Sequence, residues 1–196
     1  YKTFMWPKSF WYKVYEPFIR KAAGLGVAST KHDKERYEHK YEYCDLLVTG
    51  SGPAGLSSAY AAAKNGAKVI LAEDKPRFGG SLLTDDVTID NLSGKAWTDK
   101  IITQLKEMPN VIVKNRSQVF GYYDHNMTVM IEKTGDHLKD KPKYVPRQRL
   151  WYIRAKEVIL STGSIERPIV FGNNDTPGVF LSAAAKEYIK VYGVLV

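Results

Sequence analysis

An α/β fold, a Rossmann-like parallel sheet with helices packed on it, is predicted by three features of the sequence. The apolar run Cys44 to Thr49 leads directly into Gly50-Ser51-Gly52-Pro53-Ala54-Gly55, and an alanine-rich pattern at helical spacing follows from Ala54 to Asn65. A second apolar run, Lys68 to Ala72, ends in Glu73, about 20 residues past the glycines. Strand, glycine turn, helix, strand and acid thus fall in one register.

Each glycine of the turn has its own reason. The first permits the tight turn, the second leaves room where backbone approaches a ligand, and the third lets the helix pack closely on the strand. Their joint effect is an anion site, with free amides and the positive end of a helix dipole aimed at a pyrophosphate. An acid at the end of the second strand suits ribose hydroxyls and repels a 2′-phosphate, which favours NAD or the ADP half of FAD over NADP.

The remaining elements follow in order. Lys75-Pro76-Arg77-Phe78-Gly79-Gly80-Ser81-Leu82-Leu83 is rich in turn residues, and its paired glycines let backbone come near a ligand. A helix is predicted over Ala96 to Met108, with Trp97, Ile101, Ile102 and Leu105 on one face and Pro109 as its stop. Asn110 to Lys114 is a third strand. Val119 to Tyr123, Met127 to Glu132 and Leu150 to Arg154 read as short strands of an antiparallel meander inserted as a crossover, with an exposed loop from Thr134 to Arg149. Lys156 to Leu160 returns as an apolar strand into Ser161-Thr162-Gly163, and Ser182 to Tyr192 is a helix.

Upstream, residues 1–43 form an aromatic arm and connector, and 44–196 the dinucleotide-binding domain, an incomplete piece of a larger subunit. The arm holds Phe4, Trp6, Phe10, Trp11, Tyr12, Tyr15 and Phe18, with Trp11, Tyr15 and Phe18 at helical spacing. So many rings need a surface to cover. His32 to Tyr43 is polar and reads as a connector. The chain starts at Tyr1 rather than Met, as an excised piece would.

The 196 residues are 44% hydrophobic, enough for a globular core. No run reaches the roughly 18 apolar residues of a membrane span, no secretory leader is visible, and a cytoplasmic location is the default. The sole cysteine, Cys44, excludes an internal disulfide framework and a cysteine-built metal centre, and it reads as a packed residue. The net charge of +8 is scattered among acids, as in Lys31-His32-Asp33-Lys34-Glu35-Arg36, rather than gathered as nucleic-acid binding requires. It suits a solvated surface or an acidic partner. No metal-ligand spacing occurs among His32, His39 and His137, and Asp124-His125 on a turn reads as structural rather than catalytic. Arg147 and Arg149 beside Trp151 offer an anion or partner site, or a plain surface loop.

Gly50-Ser51-Gly52-Pro53-Ala54-Gly55, Gly79-Gly80 and a late strand ending Ser161-Thr162-Gly163 with Pro168 nearby resemble the two-dinucleotide-binding flavoprotein superfamily. Less common strings narrow the match: Tyr1-Lys2-Thr3-Phe4-Met5-Trp6-Pro7, Phe120-Gly121-Tyr122-Tyr123-Asp124-His125-Asn126, Pro146-Arg147-Gln148-Arg149-Leu150-Trp151, Ile165-Glu166-Arg167-Pro168 and Asn173-Asn174-Asp175-Thr176-Pro177-Gly178-Val179. Along nearly its whole length the chain is similar to the alpha subunits of heterotetrameric sarcosine oxidase.

That resemblance implies a bound, redox-inactive NAD in this segment, with FAD and FMN elsewhere in the complex and tetrahydrofolate on another region of the subunit. The complex oxidises sarcosine, and no residue of amine oxidation falls on this chain. The implied cofactor residues are Gly50, Gly52, Pro53, Ala54 and Gly55 at the pyrophosphate, and Glu73, Asp74 and Lys75 at the adenosine. Val119 meets adenine through its backbone, Thr162 and Gly163 close over the ligand, and Gly80, Ser81 and Leu82 lie along its distal half. The implied partners are the other subunits of a hetero-oligomeric oxidase, with the amine substrate bound outside this chain and neither nucleic acid nor membrane involved. Two alternatives stay open: FAD in the same site, as in a related amine or amino-acid dehydrogenase subunit, and a non-catalytic nucleotide-holding interaction module.

Overall fold

The structure, a computed structural model, describes residues 6–26 and 28–195. The expectations that rest on residues 1–5, Phe4 among them, lie outside the described residues. The chain forms two compact units, Tyr1–Lys34 and Glu35–Val196. In the first, a π-helical turn at Trp11–Tyr15 runs into α1 (Glu16–Ala22), and neither buries a residue. The predicted helix is present; Tyr12 and Phe18 on it, and Trp6 before it, are each more than seventy per cent exposed, whereas Trp11 and Tyr15 are half-buried.

The second unit holds β1 (Tyr37–Thr49), α2 (Pro53–Lys64), β2 (Val69–Ala72), a small hairpin of β3 (Thr88–Ile89) and β4 (Leu92–Ser93), α3 (Gly94–Glu107), β5 (Val111–Lys114), β6 (Ser117–Tyr123), β7 (Met127–Lys133), β8 (Gln148–Leu160) and α4 (Ser182–Tyr192). Six strands form one sheet in the order β5-β2-β1-β8-β7-β6. β5, β2, β1 and β8 run parallel, with Leu46 opposite Val69 and Thr49 opposite both Ala72 and Leu160. β8, β7 and β6 are antiparallel. The parallel sheet with a meander crossover is therefore as predicted.

Helices α2 and α3 cover one face. Leu46, Val48, Val69 and Leu71 of the sheet pack there against Leu56, Ala59, Trp97, Ile101 and Leu105. On the other face Leu47, Ile70 and Ala72 pack with Met130, Trp151 and Ile153, so the long meander strands supply the second layer. Strands buried on both faces explain the unbroken apolar runs Leu46 to Val48 and Val69 to Ala72. Ser93 caps α3 by accepting from the Ala96 amide at 3.3 Å, which starts the helix earlier than predicted.

Two expectations are corrected. Tyr37 to Tyr43 is not a connector but the first half of β1, paired residue for residue with Gln148 to Arg154. Leu150 to Arg154 and Lys156 to Leu160 are likewise not two strands, because β8 runs unbroken for 13 residues. The physical reason is the same in both. Polar residues in these halves find partners across the sheet: Tyr41 stacks on Tyr152 with ring centroids 5.0 Å apart, and the Arg149 guanidinium donates to Glu38 Oε2 from both Nε and Nη2 at 3.1 Å.

Below that pair lies a buried charge cluster. Glu132, only 8% exposed, accepts from Lys114 Nζ at 2.9 Å, Trp151 Nε1 at 2.7 Å and Arg149 Nη1 at 3.1 Å. Lys40 and Lys114 also lie over the Trp151 ring, at 4.3 and 5.3 Å from its centroid.

Candidate dinucleotide site

The β1 to α2 turn sits where the carboxyl ends of β1, β2 and β8 meet. Gly50 adopts φ +98°, and a Cβ there would stand 2.3 Å from the carbonyl oxygen of Ser161. A Cβ at Gly55 would stand 2.0 Å from the carbonyl oxygen of Gly50. At Gly52 a Cβ would meet nothing within 4 Å, and its φ of −68° is open to any residue. The first and third glycines are therefore demanded by the protein's own packing, whereas at the second the side-chain direction is open.

α2 has no side-chain cap. Gly50 N–H donates to Ala72 O at 2.8 Å and Ser51 N–H to Glu73 Oε2 at 2.9 Å. Among the described residues, no hydrogen bond engages the amides of Gly52, Ala54 or Gly55. Pro53 at the first helical position contributes no N–H and presets the helical backbone. Among the described residues this leaves a helix N-terminus with unpartnered donors beside a glycine whose side-chain direction is open, the kind of arrangement that can hold a phosphate.

Glu73 lies at the end of β2 and is 6% exposed. Its Oε2 accepts from Ser51 N and from Ser51 Oγ, the latter at 2.5 Å, and its Oε1 accepts from the Lys75 amide at 3.0 Å. Burial, and then the neighbouring Asp74, push its carboxyl above the usual range, against the pull of the Ser51 and Lys75 donors. Gly79 N–H reaches both Ser51 O and Ser51 Oγ at 3.1 Å. Gly80, at φ +53°, lies so close that a Cβ would meet Gly52 Cα at 3.1 Å.

The other expected residues gather at the same end of the sheet. Ser117 N–H donates to Glu73 O and Arg116 N–H to Lys75 O, which ties the β5 to β6 turn, and with it the strand of Val119, to the acidic corner. Ser161 donates through Oγ to Thr49 O and Gly50 O, anchoring the Thr162-Gly163 turn against the glycine loop. Gly80 and Ser81 are exposed, whereas Leu82 turns its side chain into the core. The amine of Lys75 is engaged by Glu187 of α4 at 3.0 Å.

Sequence reasoning missed Ser51 and Ser161, whose roles depend on distant partners. Arg147 and Arg149 are not free for an anion: Arg147 donates to Asp136 at 2.6 Å, and Arg149 is shared by Glu38 and Glu132. Asp124 and His125 lie in the exposed turn between β6 and β7, and no hydrogen bond joins their side chains. A groove of about 560 Å³ runs between α3 and α4, lined by Arg77, Phe78, Lys95, Ile102, Lys106 and Lys190. Two of its cations are paired within the chain, Lys95 with Asp99 and Lys190 with Asp86. Among the described residues there is no group of three or more potential metal ligands, and no helix long and apolar enough to cross a membrane.

Comparison with known proteins agrees with this fold. Residues 45–128 match the family described as FAD dependent oxidoreductase. The chain is 46% identical over 194 residues to sarcosine oxidase subunit alpha of Rhizobium meliloti, a match covering 99% of this chain and 20% of that protein. It is 41% identical over 174 residues to the subunit of that name from Corynebacterium sp. strain P-1, covering 87% of this chain and 18% of that protein. The chain thus spans about a fifth of the length of these relatives. Among solved structures, L-proline dehydrogenase from P. horikoshii superposes with a TM-score of 0.63 at 24% identity, over 86% of this chain and 32% of that one, a likeness of fold. The resemblance drawn from the sequence is borne out, and the segment carries a dinucleotide-binding fold of the oxidoreductase kind.

Proposed function

We propose, from its resemblance along almost its whole length to sarcosine oxidase alpha subunits, that this chain is the dinucleotide-holding segment of such an oxidoreductase subunit. The observation that carries the reading is the uncapped start of α2, where the amides of Gly52, Ala54 and Gly55 are unpartnered beside a glycine whose side-chain direction is open. These amides bind the pyrophosphate. Glu73 takes the adenosine ribose, with Asp74 and Lys75 beside it and the backbone of Val119 at the adenine. Thr162 and Gly163 close over the diphosphate, and Gly80 and Ser81 line the distal half, Leu82 contributing backbone alone.

The nucleotide proposed is NAD, held without redox turnover, in a cytoplasmic complex that carries the flavins and the sarcosine site outside this chain. The supporting fact for a second reading, FAD in the same pocket, is the FAD dependent oxidoreductase match. Both ligands present an ADP moiety to the glycines. NAD is held here without turnover, whereas FAD would supply its own redox chemistry when bound; in either case this chain's residues only bind, orient and shield the group. The test is to purify the chain, denature it and identify the released nucleotide by mass and absorption. NAD is expected; FAD selects the second reading, and a folded chain that never retains or binds an adenine dinucleotide overturns both.

A further inference from the structure

We propose that Ser51 is a positioning residue that aims the Glu73 carboxylate at the nucleotide's ribose and locks the Gly79-Gly80 turn onto the phosphate loop. The proposal rests on the dinucleotide reading above and adds to it a residue that contacts no ligand itself. Ser51 is fully buried, and every polar group it has is used. Its hydroxyl donates to Glu73 Oε2 at 2.5 Å and accepts from Gly79 N–H at 3.1 Å. Its amide donates to the same carboxylate oxygen, and its carbonyl accepts from Gly79. One side chain therefore joins three elements that meet only in the folded chain: the β1 to α2 turn, the end of β2 and the turn at Gly79.

The consequence for Glu73 is directional. A carboxylate has about four acceptor positions, and Ser51 takes both on Oε2 while the Lys75 amide takes one on Oε1. The acceptor left on Oε1, with the Asp74 side chain as its neighbour, is then held in a fixed orientation for a ribose hydroxyl. Removing the hydroxyl leaves a buried carboxylate short of one charge-assisted bond, so it turns toward other donors or takes a proton. The Gly79 amide keeps Ser51 O as acceptor, so the fold loses little while the aim is lost.

The test is calorimetric titration of the full 196-residue chain with ADP and with 2′,3′-dideoxy-ADP. It compares wild type, Ser51→Ala, Glu73→Gln and the double variant. The wild type is expected to prefer ADP by about tenfold or more, the scale of one charge-assisted hydrogen bond. Ser51→Ala is expected to reduce that preference to about twofold and to weaken ADP itself. Added to Glu73→Gln, it is expected to change the preference no further, because the two act as one unit. A merely structural serine would not alter discrimination between the two ligands. Ser51→Cys keeps the volume with a weaker donor and is expected to fall between. A wild-type preference in Ser51→Ala or Ser51→Cys overturns the assignment of Ser51 and leaves nucleotide binding standing, whereas a wild type that binds neither compound overturns both readings.

Discussion

A Cβ added at Gly55 would stand 2.0 Å from the carbonyl oxygen of Gly50, closer than any side chain tolerates, while one added at Gly52, three residues earlier, would touch nothing. The turn thus separates the positions its own packing demands from the one whose side-chain direction is open. Gly55→Ala is expected to destabilise the chain by about 3 kcal/mol, the upper range for forced overpacking, read as a fall in the denaturant midpoint. Gly52→Val is expected to leave that midpoint nearly unchanged and abolish nucleotide retention. Equal retention by wild type and Gly52→Val would show that the diphosphate lies elsewhere.

Glu132 provides a pH prediction. Burial pushes its carboxyl up, but the bonds from Lys114 and Trp151 and the charge of Arg149 outweigh this and hold it below the usual range. A carboxyl lowered on folding contributes stability that is present above its unfolded value, about pH 4.3, and is lost as pH falls through the folded value. Glu132→Gln is expected to cost about 3 kcal/mol at pH 7, as for one partner removed from a buried ion cluster. The gap to wild type should close on acidification below about pH 4. A gap independent of pH would refute the charged role.

Cys44 is completely buried, and burial raises its thiol to about 12. The thiolate is the reactive form. At pH 8 a maleimide is therefore expected to leave the native chain unmodified for hours and to label it fully in denaturant. Rapid native labelling would place Cys44 outside the core.

α4 buries no residue, and its links to the Lys75 to Asp86 region are polar: Lys75 with Glu187, Lys186 with Asp85, Lys190 with Asp86, and Arg77 with the Val191 carbonyl. Exposed pairs contribute about 0 to 1 kcal/mol each and weaken with salt. Limited proteolysis is expected to cut around α4 faster at 1 M than at 0.1 M salt, roughly the range over which the Debye length falls to a few ångströms, while leaving β1 to β8 intact. Salt-independent cutting would mean that apolar contacts hold the helix.

The sequence by itself determined the local elements. The run into Gly50, the alanine-rich helix after it, the strand ending at Glu73, the Trp97 face of α3 and the meander strands all follow from periodicity and turn residues within a few positions of each other. It also located the glycine turn between β1 and α2, because strand, glycines and helix are contiguous there. Only the tertiary structure decided that Tyr37 to Tyr43 is a strand, that β8 is continuous, and that Ser51, Glu73 and Gly79 form one knot. It alone decided that Arg149 belongs to Glu38 and Glu132. Polar residues such as these have no intrinsic preference strong enough to announce themselves. Their conformation is set by donors and acceptors that lie tens of residues away in the chain and meet them only once the sheet has brought both out of water.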